Sequence, residues 1–349
     1  MDGQWDWELT KAARTLVREL FKLRPGETLA ITADTETDER VVDATAREAF
    51  AAGAKPLVVW TSTPAGVSKA ADASLPVQAL GKLLAGADAW AEFNRKWILY
   101  STPYEIAMKG NPKLRHYCLT GVATASMVRC LGRVDYRSLK GFGETLAELV
   151  RGATHVRMTS KAGEDVSFDN VPGRPILLVD GYADAPGTHM MAGQVAWTPS
   201  LESVNGTIVL DGSVSPGIGI VRTPVTVRVE KGRVVAVEGG QEAATYEAWL
   251  RGFGHPQMLS VAHTGIGFLP GAGLVGDILE DQRVWGSTTW GFGSIGASLL
   301  PPSGVSGPSH SDSVSLDTTV ELDGRVVFEK GKVVEESLRE TAVSLGKAS

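Results

Sequence analysis

Apolar positions in the first half of the chain follow two alternating patterns. Apolar residues at helical spacing predict helices over residues 7–23, 38–54, 76–87 and 136–153. Short, continuous apolar runs predict buried strands over residues 28–34, 55–62 and 96–101. This alternation of strand and helix is typical of a parallel sheet covered by helices. No GxGxxG segment follows the first strand, so the pattern does not indicate a dinucleotide-binding fold.

The pattern changes near residue 153 to short alternating segments separated by turns. Turn dipeptides recur at Asn205-Gly206, Asp211-Gly212, Lys231-Gly232, Asp323-Gly324 and Lys330-Gly331. One helical stretch, residues 242–253, interrupts them. The sequence therefore predicts an α/β protein of two domains. An N-terminal parallel-sheet α/β domain covers residues 1–165, and a β-rich α+β domain covers 166–349.

Composition narrows the class of protein. With 43% hydrophobic and 21% charged residues, the chain has the composition of a globular protein with a substantial core. The net charge is −6 and no run of Lys or Arg occurs, which argues against nucleic-acid and membrane partners. The two cysteines, Cys118 and Cys130, are too few for a disulfide framework, and the N-terminus has no signal-peptide pattern. We expect a cytoplasmic location.

Three of the side chains suited to metal binding lie in unusual surroundings. His263 stands in "SVAHTGIGFLPGAG", among glycines that allow close approach of the backbone to a bound group. His310 and Asp312 stand two residues apart in "SHSDSVSLD". On an extended strand these two side chains point to the same face and can bind one cation. A solvated polar strand edge is the alternative.

Two imidazoles and one carboxylate suit a mononuclear non-haem iron site. Such a 2-His-1-carboxylate set leaves coordination positions open for substrate and dioxygen, as an Fe(II) site that activates O2 requires. Zinc with the same three ligands, performing hydrolysis, is the competing interpretation. Residue types alone do not separate the two metals.

Two further segments are candidates for substrate chemistry. His189, in "GTHMMAGQVAWTP", is expected in a loop, where an imidazole can move protons for a substrate hydroxyl; a backbone-bonded loop imidazole is the alternative. Aromatic residues interleave with glycines in "VWGSTTWGFG". These aromatic side chains either line a binding site for a flat ring or pack in the hydrophobic core.

Several second-half segments resemble aminopeptidase T, the M29 type of metallopeptidase, and the resemblance extends over nearly the whole chain. The segments are "AGQVAWTPSLESVNGTIVLDGS", "AHTGIG", "GSTT" and the His-x-Asp of "SHSDSVSLD". The peptidases bind two metals through glutamates, histidines and an aspartate. Here Gln194, His263 and Thr289 stand at three of the ligand positions, and His310 and Asp312 alone are retained. Without bridging anionic ligands, a two-metal site is poorly supported.

The altered ligand set resembles the 2,5-dihydroxypyridine 5,6-dioxygenase branch of this fold. The resemblance implies a single Fe(II) held by His263, His310 and Asp312, and an extradiol-type cleavage of 2,5-dihydroxypyridine to N-formylmaleamate in nicotinate-type catabolism. It further implies that His189 shuttles protons. Tyr100, at the end of the predicted strand 96–101, and Thr289 are the candidate substrate-binding residues.

Two other functions remain open from the sequence. A zinc- or cobalt-dependent aminopeptidase or amide hydrolase of the M29 type shares the fold, and fold does not fix chemistry. A non-catalytic binding protein with a degenerate metal site is the second alternative. For partners, we expect a small aromatic substrate, dioxygen and further copies of this chain.

Overall fold

The computed structural model describes residues 5–347. The chain forms two compact units. The first comprises the residues up to Val134 together with Gly181–Ala192, and the second comprises Asp135–Asp180 and the residues from Gly193 onward.

The first unit contains a five-stranded parallel sheet of order β2-β1-β3-β4-β8. Numbered along the chain, its strands are β1 (Thr28–Asp34), β2 (Lys55–Thr61), β3 (Ala89–Glu92), β4 (Arg115–Cys118) and β8 (Gly187–Met190). Its helices are α1 (Asp6–Arg14), α2 (Glu39–Ala51), α3 (Val77–Ala85), α4 (Thr102–Gly110) and α5 (Thr124–Met127). Further helical turns are Thr15–Leu20, Ser68–Ser74 and Val128–Gly132. The predicted parallel α/β architecture is confirmed.

Two helices of this unit, α2 and α4, begin at a residue whose side chain caps them. The Asp38 side chain accepts a hydrogen bond from the Arg40 N–H at the start of α2. Ser101 accepts from the Tyr104 N–H at the start of α4, which carries Pro103 in its first turn. Both arrangements satisfy backbone donors that a helix leaves unpaired at its N-terminus.

The third strand of this sheet was predicted at the wrong place. The prediction put it at residues 96–101, whereas β3 spans Ala89–Glu92. The later residues form a turn because the buried Glu92 carboxylate accepts backbone N–H bonds from Ile98 at 2.6 Å and from Leu99 at 3.3 Å. Tyr100 ends this turn with a φ of 64°. It therefore does not lie at the end of a strand.

Up to residue 347, the second unit contains two antiparallel sheets and four α-helices. The eight-stranded sheet has the order β14-β13-β10-β6-β5-β18-β19-β20, and the seven-stranded sheet has the order β12-β11-β17-β16-β15-β9-β7. The strands are β5 (His155–Thr159), β6 (Asp165–Asp169), β7 (Ile176–Val179), β9 (Gln194–Trp197), β10 (Asn205–Leu210), β11 (Ser213–Ser215), β12 (Gly219–Ile220), β13 (Val225–Glu230), β14 (Arg233–Glu238), β15 (Val261–Gly267), β16 (Thr288–Ile295), β17 (Val305–Ser315), β18 (Thr319–Leu322), β19 (Arg325–Glu329) and β20 (Lys332–Val333). The helices are α6 (Tyr136–Gly152), α7 (Gln241–Gly252), α8 (Ile278–Asp281) and α9 (Glu336–Ser344), with 3-10 turns at Leu201–Ser203 and Pro256–Leu259.

The two sheets of this unit meet through one buried aromatic layer. The Phe168 ring of β6 contacts Trp197 at 6.3 Å and Trp290 at 5.8 Å between ring centroids. Next to it, Thr264 of β15 lies against Met158 of β5, with 3.9 Å between Oγ1 and Sδ. All five side chains are buried, so one face of the seven-stranded sheet is committed to the core.

The division of the chain differs from the predicted cut at residue 165. Helix α6, which was predicted within the first domain, belongs to the second unit because its apolar face packs there: Phe142 contacts Phe268 at 5.4 Å between ring centroids. Conversely, Gly181–Ala192 returns to the first unit, where β8 pairs with β4. A single cut in the sequence cannot represent such an exchange. Within residues 5–347, no helix combines the length and apolar character needed to cross a membrane.

Candidate metal centre

Three adjacent strands of the seven-stranded sheet carry the candidate ligands. The register places Gly291 of β16 between His263 of β15 and Asp312 of β17. Gly293 in turn lies opposite His310. Residues that pair across a sheet share a face, as do alternate residues of one strand. The pairing therefore brings both histidines and Asp312 to the same face of the sheet.

The three donor atoms form a nearly equilateral triangle. His263 Nε2 lies 3.0 Å from Asp312 Oδ1 and 3.2 Å from His310 Nε2, and His310 Nε2 lies 3.2 Å from Asp312 Oδ1. Adjacent ligands of an octahedral ion at about 2.1 Å are about 3.0 Å apart, whereas ligands of a tetrahedral zinc ion are about 3.4 Å apart. The edges of the triangle lie between these two values, so all three donor atoms can bind one ion. Within residues 5–347, no other three His, Cys, Asp or Glu side chains come close enough to share an ion.

Gly291 makes room for the His263 ring. A Cβ built on Gly291 would lie 2.3 Å from both Cδ2 and Nε2 of His263, far inside van der Waals contact. The glycine is not in the left-handed region of backbone conformation, so space and not φ requires it. The imidazole of His263 therefore lies across the middle strand, where it reaches Asp312 on the far side.

Hydrogen bonding fixes the tautomer of one histidine. His310 Nδ1 lies 2.7 Å from the carbonyl oxygen of Ser294, and only an N–H can bond to that acceptor. In the neutral imidazole, the Nε2 atom of His310 therefore carries the lone pair, as a metal ligand requires. His263 Nδ1 is buried and has no hydrogen-bond partner among the described residues.

Asp312 and His310 stabilise each other's charged forms. Burial raises the pKa of Asp312, but the attraction of His310 and hydrogen bonds from His263 and His310 outweigh it, and the pKa falls far below its usual range. Burial lowers the pKa of His310, yet the charge and hydrogen bond of Asp312 and the bond to Ser294 raise it above its ordinary value. Asp312 is therefore ionised at neutral pH and able to bind a cation.

A polar pair lies farther along the same face of the sheet. Gln194 Nε2 donates to Thr289 Oγ1 at 3.3 Å, and both side chains are buried. These are the two positions where the resemblance to aminopeptidase T placed lost metal ligands. Neither side chain is charged, and the structure places them beside each other.

Two predicted site residues lie in the first unit. His189 was expected in a loop but lies on β8, paired with Tyr117, because the four residues Gly187–Met190 extend the parallel sheet at its edge. Its Nε2 lies 2.8 Å from the Ala185 carbonyl oxygen. Tyr100 is 57% exposed, and its ring contacts Tyr104 at 5.6 Å between centroids.

The other three histidines have local structural partners. His116 is fully buried and its Nε2 lies 2.9 Å from a carboxylate oxygen of Glu92. His155 is exposed and bonds to Asp169 at 2.8 Å. His255 accepts a backbone N–H at the start of the turn Pro256–Leu259. Each contact explains the residue without a metal.

The tryptophans of the glycine-rich aromatic segment pack in the core and not on the ligand face. Trp290 is fully buried and its Nε1–H donates to a carboxylate oxygen of Glu164 at 2.9 Å. Burial raises the pKa of Glu164 to about 8 despite this bond. Trp285 packs on Phe142 at 5.0 Å between ring centroids. No sequence pattern pointed to Glu164, since a single acid after a turn is ordinary.

Comparisons of sequence bear on this site. The model of the 2,5-dihydroxypyridine 5,6-dioxygenase family matches residues 9–335. A curated 2,5-dihydroxypyridine 5,6-dioxygenase from Pseudomonas putida is 32% identical over 202 residues, which are 55% of this chain and 56% of that protein. The match to this relative therefore spans little more than half of its length.

Comparisons of structure show the fold. The structure of a 2,5-dihydroxypyridine dioxygenase from Pseudomonas putida KT2440 matches with a TM-score of 0.76 at 22% identity, covering 96% of this chain and 99% of that one. Wild-type AmpT from Thermus thermophilus matches with a TM-score of 0.70 at 16% identity, covering 94% of this chain and 99% of that one. The fold expected from the sequence is thus shared with both.

Proposed function

Because the chain belongs to the 2,5-dihydroxypyridine 5,6-dioxygenase family, we propose that it cleaves the ring of a hydroxylated pyridine with dioxygen. The proposed reaction adds both atoms of O2 to 2,5-dihydroxypyridine and yields N-formylmaleamate, a step of nicotinate-type pyridine degradation. One observation carries this proposal: Nε2 of His263, Nε2 of His310 and Oδ1 of Asp312 lie 3.0–3.2 Å from one another.

The proposed cofactor is one Fe(II) per chain, held by His263, His310 and Asp312. When bound, Fe(II) supplies positions for the ring hydroxyl and for dioxygen and conducts electron density between them, as in non-haem extradiol-type enzymes. The protein contributes an ionised Asp312, which offsets part of the metal charge. It also contributes a His310 ring whose Nδ1–H is bonded to Ser294, so that Nε2 stays available.

We propose His189 as the acid/base residue. Its Nε2–H donates to the Ala185 carbonyl oxygen at 2.8 Å, so Nδ1 carries the lone pair. That atom is suited to take the proton of a ring hydroxyl and return it later in the reaction. The carbonyl of Ala185 then orients the ring in the manner of the third member of a catalytic triad.

Tyr100 and Thr289 are the proposed substrate contacts. Thr289 Oγ1 accepts from Gln194, which leaves its own O–H proton to donate. Tyr100 is held by a turn that closes on the buried Glu92 carboxylate, so the backbone below its ring is fixed.

We also propose that copies of this chain associate with one another. The molar mass measured by light scattering tests this.

The test is oxygen consumption by anaerobically purified, Fe(II)-loaded protein. On addition of 2,5-dihydroxypyridine we expect oxygen uptake, loss of the ring ultraviolet band and a product heavier by two oxygen atoms in mass spectrometry. No uptake with any dihydroxypyridine would rule out the dioxygenase. Zinc-restored hydrolysis of a leucyl anilide would favour the aminopeptidase instead, and absence of stoichiometric metal would favour a binding protein.

A further inference from the structure

Gln194 and Thr289 occupy the ligand face of the seven-stranded sheet. Along β15, His263 and Gly265 are alternate residues and share a face. Thr289 pairs with Gly265, and Gln194 pairs with the next alternate residue, Gly267. Residues paired across strands share a face, so the Gln194 amide and the Thr289 hydroxyl lie on the same side of the sheet as the three candidate ligands.

Gly265 leaves space for the Gln194 amide in the same way as Gly291 leaves space for the His263 ring. Gly265 has no Cβ, and a Cβ built there would lie 3.2 Å from Gln194 Nε2, tighter than ordinary contact. The amide therefore lies over Gly265, as the His263 imidazole lies over Gly291. Gly265 is two residues from His263, which places the amide about 7 Å along the sheet from the row of ligands. That spacing suits a hydroxylated six-membered ring with one oxygen at the ligands and its opposite end at the amide.

The hydrogen-bonding groups of the Gln194 amide indicate which chemical group the substrate ring presents to it. Gln194 is 5% exposed and donates one Nε2 proton to Thr289, which leaves a second N–H donor and the Oε1 acceptor side by side. A buried amide edge of this kind is stabilised by a partner that presents an acceptor beside a donor. A 2-hydroxypyridine in its lactam form presents that pair: the ring N–H and the adjacent carbonyl oxygen. The amide is also neutral, as the lactam is.

We propose that Gln194 is a specificity-determining residue that recognises the lactam edge of the substrate ring, with Thr289 orienting its amide. This inference rests on the proposed function and deepens it. Gln194 Oε1 accepts the ring N–H, and Gln194 Nε2 donates its second proton to the ring carbonyl oxygen. The site therefore selects hydroxylated pyridines that carry an oxygen next to the ring nitrogen.

Binding under nitrogen tests this without turnover. Fe(II)-loaded protein is titrated calorimetrically with 2,5-dihydroxypyridine and with 3-hydroxypyridine, which keeps the metal-facing hydroxyl and the ring nitrogen but lacks the second oxygen and hence the lactam. Removing a paired donor and acceptor costs about ten- to a hundredfold in affinity. Gln194→Leu should weaken binding of the first compound by that factor, leave the second unchanged and retain its iron. Gln194→Asn, with the same amide on a shorter stem, is expected to lose less.

The outcomes separate the two proposals. If the wild type binds neither compound, the proposed function and this inference both fall. If the wild type binds 2,5-dihydroxypyridine and Gln194→Leu weakens both compounds equally, the function stands and the inference is refuted. Loss of iron in Gln194→Leu would place Gln194 among the metal-holding groups and refute it as well.

Discussion

Substituting Gly291 by alanine tests the metal centre without touching a ligand. The added Cβ would lie 2.3 Å from Cδ2 and Nε2 of His263. Carbon atoms in contact are about 3.5 Å apart or more, so the imidazole has to move by about 1 Å. Metal–ligand distances tolerate only about 0.2 Å. The substitution should therefore withdraw one of three ligands and weaken metal binding by about a hundredfold or more.

The assay measures Fe(II) affinity by anaerobic titration and thermal stability of the metal-free protein by circular dichroism. Gly141→Ala is the matched control, because a Cβ at this helix α6 position meets nothing within 4 Å and its φ is ordinary. The control should bind Fe(II) like the wild type. In a His263→Ala background the ring is absent, so adding Gly291→Ala should cost no further stability; such non-additivity is the mark of direct contact.

Unchanged Fe(II) affinity in Gly291→Ala, together with an unchanged melting temperature, would refute the reasoning. It would mean that the His263 ring does not lie over Gly291 in solution. Reduced stability with full affinity would mean that the ring moves without leaving the metal, and that His263 is not a required ligand.

Three other predictions concern single side chains. His310→Ala and Asp312→Ala should each abolish stoichiometric iron loading while the far-ultraviolet circular dichroism stays that of the wild type; a retained iron equivalent would contradict the ligand set. His189→Ala should keep its iron and lower kcat by about a hundredfold or more, and a pH–rate profile identical to that of the wild type would contradict the acid/base role. Burial raises the pKa of Glu164 from 4.5 to about 8, so the folded protein holds this proton more tightly than the unfolded chain does. The free energy of unfolding should therefore be highest below pH 4.5 and fall as the pH rises through 8, by a total on the order of 3–5 kcal/mol. Glu164→Gln keeps an acceptor for Trp290 and should flatten this decline in urea unfolding; a slope equal to that of the wild type would disprove it.

Local patterns in the sequence determined much of the fold. Helical spacing located α1, α2, α3, α6 and α7, whereas α4, α5, α8 and α9 were not predicted. Three of the turn dipeptides, Lys231-Gly232, Asp323-Gly324 and Lys330-Gly331, connect the strands of a hairpin. The other two do not, because Asn205-Gly206 begins β10 and Asp211-Gly212 connects strands of different sheets. The spacing of His310 and Asp312 predicted a shared strand face, and the register confirms it. These features depend on residues a few positions apart, which a linear pattern records directly. The short strand Ala89–Glu92 was not predicted, because four residues are too few to show a clear hydrophobic pattern.

Only the tertiary structure determined which side chains lie next to His310 and Asp312. His263 is 47 residues from His310 along the chain, and no local pattern specifies that β16 lies between their strands with a glycine at the crossing point. The pairing of Gln194 with Thr289 across Gly265 and the burial of Glu164 beneath Trp290 arise in the same way. Strand order and register depend on backbone hydrogen bonds and side-chain packing between distant segments. A sequence pattern can therefore predict which residues of one strand share a face, but it cannot predict which residues of neighbouring strands lie beside them.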